Sequence, residues 1–240
     1  MIFMSSHKHA NGYNITPALL SQIYKDLSEL FDGKVIIIGG RAVNIYCAKD
    51  KRNTDDLDVV VKIGSNLTTR DIQERLIEYN FSPAKESFNP ENGFYQLQHR
   101  SGVKIDIYLL REGEQRESWP ISGIPKIDII DNAVERQLPT GDRVYIVDPV
   151  RLVLMKFNSH RPQDIEDIGN IISSLYSSFD DFLKKGGGTI YSYVKIGFGE
   201  FGKEYVDKKY SDVISLLKGI YNKKIHEDET IFLKQARRIH

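Results

Sequence analysis

Apolar positions fall into two regimes along the chain. In the first, Thr16-Pro17 supplies an N-cap and a proline at the first helical position, and Leu20, Ile23, Tyr24, Leu27, Leu30 and Phe31 follow at helical spacing. The pattern predicts a helix ending at Asp32-Gly33. Val35 to Ile38 is a short β-branched run bounded by glycine, which reads as a strand buried on both faces. Gly39-Gly40 then turns the chain into a helix through about Lys49.

From Asp55 the period is two. Asp56, Asp58 and Val60 share one strand face, and Asp55, Leu57, Val59 and Val61 share the other. Thr68 or Thr69 caps a helix carrying Ile72, Leu76, Ile77 and Tyr79, which ends before Pro83, and a polar loop from Ser82 to Gly93 follows. Phe94 to Gln98 and Val103 to Leu110 read as a hairpin around His99 to Gly102. In its second strand Val103, Ile105, Ile107 and Leu109 form the apolar face, with Lys104, Asp106 and Tyr108 opposite. Lys126 to Val134 and Arg143 to Val147 read as further short strands, joined by a turn at Leu138 to Asp142.

Asp148-Pro149 opens the second regime, with helical spacing from Val150 onward. Pro162 starts a helix whose apolar stripe is Ile165, Ile168, Ile171, Ile172 and Leu175, with Asp164, Asp167 and Asn170 three apart on a neighbouring stripe. Gly186-Gly187-Gly188 reads as a flexible break. Beyond it, Tyr191, Tyr193, Tyr205, Tyr210 and Tyr221 alternate with lysines; such tyrosines cover a helical core or stack single-stranded nucleic acid. The expected fold is α+β, a mixed sheet flanked by helices, in two parts: residues 1–147 as the core domain and 148–240 as a mainly helical region.

Composition narrows this picture without naming a function. The 240 residues carry 33 Lys plus Arg against 33 Asp plus Glu, so no global positive field announces a nucleic-acid partner. Cys47 is the single cysteine, and no apolar stretch approaches the ~20 residues of a membrane span. A reducing cytoplasm fits best. His7 and His9 lie in a polar lead-in and read as solvated.

The candidate chemistry is concentrated early. Two glycines between strand and helix let a ligand approach the backbone and leave N–H groups facing outward at a helix start, where phosphate binds; alone, they are also an ordinary tight turn. Asp56 and Asp58, two apart on one strand face, lie roughly 6–7 Å apart at their Cα atoms, close enough to share cations held about 4 Å apart. Unpaired in a half-buried strand they would repel. Asp106 stands on the polar face of the hairpin strand as a third carboxylate, with Asp128 in Ile127-Asp128-Ile129 as its rival; the longer strand favours Asp106. Near the second helical segment, Lys156 or Arg161 is positioned either to reach a triphosphate or simply to be solvated beside an acidic first turn.

Gly39-Gly40, then Arg52-x-Thr54-x-Asp56-Leu57-Asp58, then Ile105-Asp106-Ile107 resembles the DNA polymerase β-type nucleotidyltransferase superfamily, and within it the small prokaryotic enzymes that include AbiEii-like toxin components. The resemblance spans residues 35–110 and extends weakly to Lys156 through Asp167. It implies a nucleotidyltransferase fold and transfer of an NMP group from an NTP to an acceptor hydroxyl on tRNA, a protein or a small molecule. It further implies two Mg²⁺ ions on Asp56, Asp58 and Asp106, the last positioning the hydroxyl or taking its proton. Phosphate contacts would come from Gly39, Gly40, Arg41, Lys156 and Arg161, with Arg52 and Thr54 bracing the carboxylate strand. For a toxin component it implies an antitoxin partner. Gly40 departs from the family, standing where many members have serine. Two other readings stay open: a catalytically idle nucleotide-binding or regulatory module, and a nucleic-acid adaptor centred on the Lys/Tyr-rich C-terminal region.

Overall fold

The computed structural model describes residues 15–47, 54, 56–63, 67–89, 93–111, 121 and 123–236, with backbone only at 69, 84–89 and 229–236. His7, His9, Arg52 and Asp55 lie outside the described residues.

Among the described residues seven strands form one sheet: β1 (Lys34–Ile37), β2 (Asp56–Ile63), β3 (Phe81–Asn89), β4 (Phe94–His99), β5 (Lys104–Arg111), β6 (Val134–Gln137) and β7 (Arg143–Ile146). Their order is β3-β4-β5-β2-β1-β7-β6. Parallel pairing of β1 with β7 and of β2 with β5, against antiparallel pairing elsewhere, makes the sheet mixed. The apolar runs of β1 and β2 occupy its middle, where both faces are covered: Val35, Ile36 and Ile37 are buried, as are Leu57, Val59, Val60 and Val61.

The helices are α1 (Pro17–Phe31), α2 (Gly39–Tyr46), α3 (Thr69–Arg75), α4 (Lys126–Asp131), α5 (Pro149–Ser159), α6 (Pro162–Leu175), α7 (Phe179–Phe198) and α8 (Lys203–Ala236). Thr16 caps α1 through its hydroxyl on the Leu19 N–H, and Asp32 closes it in the left-handed region. Asp148 caps α5 in the same manner as Thr16, accepting from the N–H groups of Val150 and Arg151. The fold is therefore α+β, with a helical C-terminal part in which α5 and α6 pack on α2, and α8 packs along α6.

Four local expectations are corrected. Most of the stretch read as a loop from Ser82 to Gly93 is β3, which pairs with β4 through a register shift between Pro83 and Phe88 at the sheet edge, where a proline is tolerated. Lys126 to Asp131, read as a strand, is α4: Lys126, Ile129 and Ile130 are buried at i, i+3 and i+4, a helical period hidden by the local Ile-Asp-Ile alternation. The triple glycine is no break but lies within α7. A Cβ on Gly186 would meet Val150 Cγ2 at 2.7 Å and one on Gly187 the Tyr210 hydroxyl at 3.0 Å, so the missing side chains let α7 close onto α5 and α8. In α6, Ile165 is exposed, whereas Asp164, Asp167 and Asn170 are buried. A buried cation, described below, draws this polar stripe inward.

Candidate active site

The site follows from strand register. Asp106 on β5 lies beside Asp58 on β2, and on its other side Gln96 of β4 lies beside Asp106, so the three residues form a row across the sheet. Beyond Asp58, the Ile38 N–H donates to the Asp58 carbonyl at 2.9 Å, bringing the end of β1 and the start of α2 alongside. The order across the face is thus glycine turn, Asp58, Asp106, Gln96.

Gly39 is required at this junction twice over. Its φ of +64° favours glycine, and a Cβ there would fall 2.1 Å from Asp58 Oδ2. The carboxylate therefore rests against the helix start. The first N–H groups of α2 have no intrahelical acceptor, and Ile38, Gly39 and Gly40 line the adjoining cavity. That cavity, of about 440 Å³, is also lined by Asp56, Asp58 and Asp106 from the sheet, and by Leu152, Met155, Lys156 and Arg161 from the helical side.

The electrostatics mark Asp58 as the strained member. Burial, then the like charges of Asp56 and Asp106, push its carboxyl up to about 6, while Lys156 and Arg161 act in the opposite direction. Tyr108, on the same face, is pushed up to about 12 by burial and the three carboxylates, so it stays a neutral hydroxyl. Among the described residues no three His, Cys, Asp or Glu side chains are drawn around a common point as in a formed metal site. The donor set nevertheless fits a hard divalent cation: three carboxylates line one cavity, and at Asp58 the charges of Lys156 and Arg161 do not offset burial and the neighbouring carboxylates.

Lys156 is the buried cation beneath α6. It is 4% exposed, and its Nζ ion-pairs with Asp164 Oδ1 at 2.6 Å and Asp167 Oδ2 at 2.9 Å. Burial alone would raise the Asp164 carboxyl, but hydrogen bonds from Arg161, Lys156 and Ser159 outweigh it and hold it at about 2. Arg161 is mostly exposed, pairs with Asp164 and reaches the cavity rim. Arg41, although next to the glycines, is buried, donates to the carbonyls of Ile15 (3.3 Å) and Thr54 (2.6 Å), and is not among the cavity-lining residues. Its bond to the Thr54 carbonyl ties α2 to the residue two before β2. Asp128, the rival carboxylate, sits on α4 with both oxygens held by Arg151 (2.7 and 3.0 Å) and a further bond from Tyr193, away from this row.

Gln96, Tyr108 and Ser159 were not singled out from the sequence. Tyr108 shares the Asp106 face by strand alternation within β5, whereas the place of Gln96 becomes readable only once the hairpin register is fixed.

No protein-family model matches the sequence, and no curated protein matches it. Among solved structures the chain is similar to the lincosamide antibiotic adenylyltransferase LnuA with lincomycin bound, at 18% identity over 67% of this chain and 99% of that one, with a TM-score of 0.49. It is similar to an antigenic nucleotidyltransferase-like protein from Paracoccidioides brasiliensis, at 18% identity over 66% of this chain and 74% of that one, with a TM-score of 0.43. A third similar structure is the antibiotic-resistance factor ANT(2″)-Ia, at 12% identity over 93% of this chain and 97% of that one, with a TM-score of 0.40.

Proposed function

We propose that this chain is a nucleotidyltransferase that moves a nucleoside monophosphate from an NTP to an acceptor hydroxyl, with Mg²⁺ as cofactor. The observation that carries the reading is the contact of Gly39 with Asp58: a carboxylate held against an open helix N-terminus, in a row with Asp106 and in one cavity with Asp56, Lys156 and Arg161. A phosphate-binding turn and a cation-binding carboxylate side by side match what a metal–triphosphate needs.

Each residue then has a task. The N–H groups at Gly39 and Gly40 face the outer phosphates. Asp56, Asp58 and Asp106 would hold Mg²⁺, which when bound supplies positive charge for the phosphates and a lowered pKa for the attacking hydroxyl. Lys156 and Arg161 add positive charge from the helical wall; Lys156 does so as a fixed charge, anchored by Asp164 and Asp167. In-line displacement puts the attacker opposite the leaving group. With the outer phosphates on the glycine side, the acceptor hydroxyl arrives on the Asp106 side, where that carboxylate orients it or takes its proton.

The acceptor belongs to the class of hydroxyl-bearing tRNA, protein or small molecules. A cytoplasmic setting and an antitoxin partner are part of the same proposal. Among the described residues no helix is long and apolar enough to cross a membrane. The test is NTP binding with and without Mg²⁺, by calorimetry, in the wild type and in the folded Asp56→Asn, Asp58→Asn double variant. Mg²⁺-dependent binding lost in the variant is the expected result; equal affinity in both would refute the assignment. Label transfer from each NTP to cellular RNA or protein distinguishes a working enzyme from an idle nucleotide-binding module.

A further inference from the structure

The row across the sheet continues one residue past its two carboxylates, Asp58 and Asp106. Gln96 is the cross-strand neighbour of Asp106, and its Nε2 donates to Asp106 Oδ1 at 2.8 Å in a half-buried setting. We propose that Gln96 is a positioning residue for Asp106: its amide anchors one carboxylate oxygen and leaves Oδ2 for the cavity. The inference rests on the nucleotidyltransferase reading, because it concerns the oxygen offered to the cation and the acceptor.

Three observations support it. The carboxylate of Asp106 has the like charge of Asp58 on one flank, so a donor on the other flank decides which way its terminal torsion settles, a torsion otherwise broad. A neutral amide supplies that donor without cancelling the charge the cation needs, which a lysine would do, and without the repulsion a glutamate would add. The neighbour Gln98 shows that the contact is specific to position 96: on the same strand face, it turns its amide to the Gly102 carbonyl instead. Gln96 also lies on the side from which the acceptor hydroxyl enters, opposite the glycine turn. A loosened Asp106 would therefore spoil the geometry of attack and leave phosphate binding intact.

The experiment compares wild type, Gln96→Leu, Asp106→Ala and the control Gln98→Leu. Mn²⁺ binding in the presence of a non-hydrolysable NTP analogue is followed by electron paramagnetic resonance, and metal-free crystal structures of wild type and Gln96→Leu are compared. Gln96→Leu is expected to weaken Mn²⁺ about 10-fold, the usual cost of losing a group that orients a ligand. Gln98→Leu should leave it unchanged. In the metal-free Gln96→Leu crystal the Asp106 carboxylate should rotate or split into two conformers. An Asp106 carboxylate unmoved in that crystal overturns the role of Gln96 whatever the metal does, as does wild-type Mn²⁺ affinity in Gln96→Leu when Asp106→Ala has lost it. A wild type that takes up no Mn²⁺ instead refutes the parent reading, and the crystal comparison still decides the contact.

Discussion

Removing the charge of Asp58 is expected to stabilise the metal-free protein while abolishing its proposed chemistry. The Asp58 carboxyl stands at about 6 in the folded chain against an ordinary 3.8, raised by burial and by Asp56 and Asp106. The folded state therefore holds this proton more tightly than the unfolded chain, and stability falls as pH rises from about 4 to about 6. Above that window the full cost of the charge is present, about 2–3 kcal/mol at 1.36 kcal/mol per unit. Asp58→Asn removes the charge with little change of shape, so at pH 8 in EDTA the variant should melt roughly 5–10 °C above wild type, given the usual 2–4 °C per kcal/mol for a chain of this size. At pH 4 the difference should nearly vanish, since both side chains are then neutral. Mg²⁺ with NTP should close the gap from the other direction, stabilising wild type by mass action and the variant little. Thermal melts across pH 4–8 decide the matter. A variant no more stable than wild type at pH 8, or a gap that does not shrink on acidification, would show that Asp58 is not under the strain inferred for it.

Other expectations follow from single contacts. Gly39→Ala places a methyl into Asp58 and a left-handed backbone, so NTP binding should be lost together with a measurable drop in melting temperature; unchanged affinity by calorimetry would contradict the cradle. Lys156→Met removes the buried ammonium shared by Asp164 and Asp167, leaving Arg161 on Asp164, and should cost about 3–5 kcal/mol in urea unfolding, with much of it recovered when both are also changed to Asn. Within α7, Gly186→Ala should destabilise because its Cβ strikes the branched Val150, whereas Gly188→Ala, with nothing within 4 Å, should gain about 0.5–1 kcal/mol of helix propensity; denaturant midpoints of the pair give opposite signs. Burial lowers the His99 imidazole below 6.5, against the pull of Asp26 at 3.4 Å, so stability held above pH 6.5 should decline as the pH drops below it; His99→Gln should flatten that limb of the melting profile.

What could be read from the sequence follows the range of the forces involved. Thr16-Pro17 and the hairpin at 94–110 were legible because caps and strand alternation are decided within a few residues, and strand alternation alone paired Asp56 with Asp58. The failures share a different cause. At 126–131 the sequence alternates locally as a strand would, and only burial of Lys126, Ile129 and Ile130 against the sheet makes it a helix. In α6, Ile165 looks like core until Lys156 is known to sit buried beneath; a buried cation needs carboxylates more than a surface helix needs one further isoleucine inside, so Asp164 and Asp167 turn inward. Gly186 to Gly188 looks like a break because glycine frees an isolated backbone, yet packed against Val150 and Tyr210 the same absence of side chain permits close helix contact. The candidate site divides along this line. Its glycines and three carboxylates belong to local patterns, whereas the anchoring of Lys156, the bond of Arg41 to Thr54 and the hold of Gln96 on Asp106 exist only through register and helix packing. A single sequence therefore points to the charges that would meet a metal and a phosphate, and the tertiary contacts determine how firmly each is aimed.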